Sequence, residues 1–65
     1  MGSSVSYSAK EKLRVIEREL DYRRRLYPRL IANNAMSQKT ADLQIAILEE
    51  IAEDYAKQHA KEILL

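Results

Sequence analysis

The chain has 65 residues, of which 46% are hydrophobic and 32% charged, with one glycine, one proline, one histidine, no cysteine and a formal charge of +1. At this length one core seldom contributes more than about 3 to 5 kcal/mol, so a catalytic cleft is not expected and extra stability must come from disulfides, a metal or self-association. The first two lack their residues, which leaves self-association, and the balance of apolar and charged residues, without a long uncharged run, points to an all-α protein that does not span a membrane.

Met1-Gly2-Ser3-Ser4 reads as a cloning remnant or a frayed end, not a targeting signal, and residues 1–7 are expected to be a disordered N-terminal segment. Ser8-Ala9-Lys10-Glu11 has the form of a capping box, with the Ser8 hydroxyl accepting the Glu11 N–H and the Glu11 carboxylate returning to the Ser8 N–H. A first helix over about residues 9–33 follows, because Leu13, Ile16, Leu20, Arg23, Tyr27 and Leu30 recur at alternating steps of three and four. Pro28 cannot donate to the Arg24 carbonyl and its ring crowds that group, so a kink is expected, while Leu30 and Ile31 carry the pattern onward.

Asn33-Asn34 tolerates left-handed backbone and predicts a reversal over 33–37. Ser37 is the expected N-cap of a second helix over about 38–62, with Met36 placed to staple against Ala41. Its seam is Ala41, Ile45, Leu48, Ala52 and Tyr55. A short connection forces the helices antiparallel, so the expected fold is a two-helix hairpin. Leu43, Ile47 and Ile51 make a second stripe on helix two, and Val15, Tyr22 and Leu26 lie beside the seam of helix one. The economical cover is a second copy, giving a homodimeric four-helix bundle. The core and dimer set is Leu13, Ile16, Leu20, Tyr27, Leu30, Ile45, Leu48, Ile51 and Tyr55, and the tail Ile63-Leu64-Leu65 is expected to cap a core.

Charge divides between the halves. Residues 1–33 hold eight basic and four acidic residues, net +4, and residues 34–65 hold three basic and six acidic, net −3. Opposite signs favour docking of the helices. At about 100° per residue, Arg14, Arg25, Arg18 and Arg29 fall within roughly 60° of one another, opposite the seam. Tyr22 lies at the edge of this stripe, and Glu11 and Asp21 are placed to pair with it. Guanidinium groups beside an aromatic ring suit carboxylates of a protein partner and also phosphates. The expected partner surface is therefore Arg14, Arg18, Tyr22, Arg25 and Arg29; a pI near 8.0 and the acidic second helix make nucleic acid the secondary reading. Arg23 is expected to reach Glu49 or Glu53 across the seam. His59, with Tyr55 and Glu62 near it in helical spacing, has no second ligand or nucleophile for metal or acid–base chemistry. No catalytic residue, cofactor, metal or small-molecule substrate is expected.

At Glu17-Arg18-Glu19-Leu20, Arg23-Arg24, Tyr27-Pro28, Met36-Ser37, Ala41-Asp42, Gln44-Ile45-Ala46 and Glu50-Ile51-Ala52, the chain resembles a widespread group of small phage and prophage proteins. The likeness covers about residues 15–56, and Asn33-Asn34-Ala35 stands where many members have glycine before the methionine. It implies phage origin and the cytoplasm of a bacterial host, and it carries no catalytic residues. The resulting expectation is a noncatalytic protein that binds and modulates or inhibits a host or phage protein, such as a defence enzyme or transcriptional regulator. The alternative is a nucleic-acid accessory protein using the same arginines.

Overall fold

A computed structural model describes residues 6–64. It holds two helices, α1 over Ala9–Ala32 and α2 over Gln38–Leu64, and no strand among the described residues. Residues 1–5 of the expected disordered segment lie outside the described range.

The start of α1 is closed by a side chain and its end by the backbone of a residue suited to it. The Ser8 hydroxyl accepts the Glu11 N–H at 3.1 Å. The Glu11 carboxylate turns back to the Ser8 hydroxyl at 3.3 Å, so the return bond goes to the side chain and not to the expected Ser8 N–H. At the other end Asn34 adopts φ 59°, the left-handed region that costs most L-residues about 1 to 2 kcal/mol and that asparagine bears better. The Ala35 N–H then reaches the Leu30 carbonyl at 2.8 Å and the Asn34 N–H reaches Ile31 at 3.0 Å, the paired bonds of a Schellman ending. Ser37 opens α2 by accepting the Thr40 N–H at 3.1 Å. Pro28 lies inside α1, which continues for a turn beyond it.

Five residues between the helices leave no alternative to antiparallel docking, and three cross-helix bonds fix the register. Tyr27 pairs with Gln44 near the closed end. Arg24 meets Glu49 at 2.6 Å midway. The Ala9 N–H meets the Glu62 carboxylate at 3.4 Å at the open end. In each pair the two residue numbers sum to between 71 and 73, which sets which residues of α1 and α2 lie level.

Between the helices Ala9, Leu20, Tyr27 and Ala41 are buried, and among the described residues no large side chain is completely enclosed. Leu13, Ile16, Leu30, Ile45, Leu48, Ile51 and Tyr55 are half-buried along the same seam. The molecule is one helix layer about 15 Å thick with a radius of gyration of 15.0 Å. A compact chain of this length would give about 11 Å. Because Ala9 is already level with Glu62, α2 carries Ile63 and Leu64 past the start of α1, where they are 68% and 86% exposed. They cap no core within the chain; Leu65 lies outside the described residues.

Asn34→Gly should stabilise the hairpin by roughly 0.5 to 1 kcal/mol and Asn34→Ala should destabilise it by about as much, since only the backbone preference at φ 59° changes. For a chain of this size that is a shift of about 2 to 8 °C in the thermal midpoint, followed by circular dichroism.

Candidate interaction surface

A two-helix layer has two broad faces, and here they differ in chemistry. One is polar: Arg24 and Glu49 bridge it, and the shallow cleft beside them is lined by Glu17, Leu20, Asp21 and Ala52. On the opposite face, at about 100° per residue, fall Val15, Tyr22, Leu26 and Leu30 of α1 with Leu43, Ile47 and Ile51 of α2. Val15 is 59%, Leu43 60% and Ile47 49% exposed, far from the burial usual for such side chains. Toward the open end this face deepens into an apolar groove of about 500 Å³ between Tyr7, Val15, Ile16, Ile51 and Tyr55. Lys12 closes part of its rim, its ammonium 5.6 Å from the Tyr55 ring centroid, a cation–π separation.

One polar relay crosses this apolar face. Glu19, Arg23 and Tyr27 follow one another at four-residue steps on α1, so their side chains stack along one line. Arg23 donates from Nε to Glu19 Oε1 at 3.0 Å and from Nη1 to the Tyr27 hydroxyl at 2.8 Å. Tyr27 in turn donates to Gln44 Oε1 on α2. The Tyr27 hydroxyl, and after it the Glu19 carboxylate, hold the Arg23 guanidinium above its ordinary pKa. Arg23 therefore does not cross to Glu49 or Glu53 as its seam position suggested. Its stem points along its own helix, and Arg24, one residue on and turned toward the polar face, takes Glu49. Sequence reading passed over Gln44 and Glu19 as site residues; the Glu19, Arg23, Tyr27 run at steps of four was the signal for the relay.

The expected partner surface, Arg14, Arg18, Tyr22, Arg25 and Arg29, is exposed throughout. A shallow depression of about 220 Å³ gathers Tyr22, Arg25 and Arg29 around Leu26. None of the four arginines enters an ion pair among the described residues. Glu11 and Asp21, the expected local counter-charges, do not pair with them there; Glu11 is turned back to the Ser8 cap instead. The stripe thus retains its field.

His59 is half-buried on the inner side of α2, and Glu62 is engaged with the Ala9 N–H. Among the described residues no three histidine or acidic side chains converge as a metal site. No described helix is long and apolar enough to cross a membrane.

In comparisons with known proteins, the chain matches no family model, no curated protein and no solved structure.

The relay and the surface ion pair should separate by magnitude. Tyr27→Phe strands Gln44 and one Arg23 donor beside a buried ring, and should destabilise the fold by about 1 to 3 kcal/mol. Glu49→Gln removes an ion pair whose side chains are about half exposed, and should cost less than about 1 kcal/mol. Denaturant midpoints of the two variants give the comparison.

Proposed function

We propose that the chain is a noncatalytic interaction protein of the small phage type, acting as a homodimeric four-helix bundle in the cytoplasm of a bacterial host. In this reading it binds a host or phage protein and modulates or inhibits it. The observation that carries the reading is the apolar face its own fold leaves bare. The chain exposes 5375 Å², whereas a compact monomer of 7.6 kDa would expose about 4,300 Å². The surplus, on the order of 1,000 Å², is close to the roughly 800 Å² each partner contributes to a standard interface. A second copy placed on that face supplies the second layer that a two-helix sheet of side chains lacks. α1 is kinked at Pro28 in this reading, where the Arg24 carbonyl has no intrahelical donor.

Dimerisation through the apolar face leaves most of the arginine stripe outside the bundle. Four unpaired guanidinium groups beside Tyr22 suit a protein surface rich in carboxylates, where arginine and tyrosine are effective anchors. The same unpaired arginines support nucleic-acid binding as a second reading, which the net −3 of residues 34–65 disfavours. The resemblance to phage hairpins supports the setting.

Sedimentation should give twice the 7.6 kDa chain mass, and Ile47→Asp should lower it to one chain while leaving the helical content of the hairpin intact. A sample that is monomeric at all concentrations removes the dimer from the reading. Affinity capture from host lysate should recover a protein that the Arg14→Glu, Arg25→Glu double variant loses while remaining dimeric. Recovery by both alike would exclude the stripe as the docking surface. Binding to duplex or single-stranded DNA that falls steeply with salt would transfer the stripe to the nucleic-acid reading.

A further inference from the structure

We infer that the two hairpins pair with their two-fold axis running along the bundle, so that α1 of each lies on α2 of its partner, aligned by ion pairs between Arg18 and the partner's Asp54 and between Glu11 and the partner's Lys61. The inference rests on the homodimer proposed above and specifies its geometry.

Two layers packed face to face by a two-fold axis with their helices aligned, as in a four-helix bundle, have two arrangements. An axis along the helices preserves height, so the register within one hairpin also gives the register between hairpins. Tyr27 with Gln44, Arg24 with Glu49 and Ala9 with Glu62 place residue n of α1 level with residue of number about 72 − n on α2. The outer edge of the apolar face on α1 is the stripe Glu11, Val15, Arg18, Tyr22, Leu26 and Arg29, at coiled-coil spacing. On α2 the matching edge runs Leu43, Ile47, Glu50, Asp54, Gln58 and Lys61. Laid level, these edges set Glu11 against the partner's Lys61, Arg18 against the partner's Asp54, and Leu26 against the partner's Ile47. Opposite charges face each other at these two pairs and apolar groups at the third, while Val15 meets the partner's Gln58, Tyr22 the partner's Glu50 and Arg29 the partner's Leu43. Within one hairpin Arg18 and Asp54 are also level, but they lie on the outer edges of the layer with both helices between them.

The other arrangement turns the partner end for end and stacks like helix on like helix. Turned about the level of Ala52, it brings Glu50 against the partner's Asp54 on both sides of the axis, a double carboxylate clash along the acidic helix, and Glu11 against the partner's Arg29 twice, so that it gains two edge ion pairs and two clashes where the first arrangement gains four ion pairs and no clash. The relay on the apolar face favours neither arrangement, because Arg23 is already paired with Glu19 and enters the interface without an orphaned charge. What separates the two is the edge charge.

The chain has no cysteine, so single introduced thiols report proximity cleanly. Val15→Cys chains mixed with Gln58→Cys chains should cross-link into a covalent heterodimer with a short bis-maleimide, while a mixture of Glu50→Cys and Asp54→Cys chains should not. Arg18→Glu should weaken self-association by about tenfold, and Arg18→Glu combined with Asp54→Arg in one chain should restore it. A dimer by sedimentation that cross-links through Glu50→Cys and Asp54→Cys, or whose Arg18→Glu defect the second reversal does not repair, overturns this arrangement and leaves the dimer standing. A chain monomeric at every concentration overturns the dimer and the arrangement together.

Discussion

A pair of helices has one inside. Everything distinctive about this molecule follows from the mismatch between that single seam and the two apolar stripes that α1 and α2 each carry. The seam accepts Leu20, Tyr27, Ala9 and Ala41. The second stripe, with Val15, Leu43 and Ile47 in it, has no inner surface to occupy. Larger domains resolve the same difficulty by adding a layer from their own chain. Here two helices of 24 and 27 residues joined by a five-residue turn make one layer, and the described residues supply no second.

The division of labour between the faces follows from where charge was placed relative to that stripe. Arg24 and Glu49 occupy the face that needs no cover, where an ion pair in water contributes little energy but still disfavours sliding of the helices. Near the centre of the apolar face Glu19 and Arg23 neutralise each other within one helix. The arginine stripe lies on the outer side of α1, away from the seam, and within the hairpin its guanidinium groups enter no ion pair among the described residues.

Much of the fold was legible in the residues because helical hairpins are specified locally. Ser8, Asn34 and Ser37 mark ends by side-chain and backbone chemistry that acts within four residues, and heptad spacing marks the seam. Register was less accessible, since it depends on which long side chains meet across the gap. Arg23 and Arg24 are neighbours in sequence, yet 100° of rotation sends one to Tyr27 on its own helix and the other to Glu49 on the opposite one. The tail misled for a related reason: apolar composition suggests burial, but the pairing of Ala9 with Glu62 exhausts α1 before Ile63 is reached. The arginine stripe is a matter of angle alone and could be drawn from the sequence, whereas the molecule it meets is written in another chain.

The closed turn also bears on the order of closure. The cross-helix bonds link residues 17, 25 and 53 positions apart, from Tyr27–Gln44 through Arg24–Glu49 to Ala9–Glu62. Each successive loop is costlier to close in entropy, so loop length alone favours closure from Asn34 outward. The longest of these loops closes where Tyr7, Val15, Ile51 and Tyr55 gather around their groove. The groove thus sits at the end of the hairpin whose closure carries the largest entropic cost.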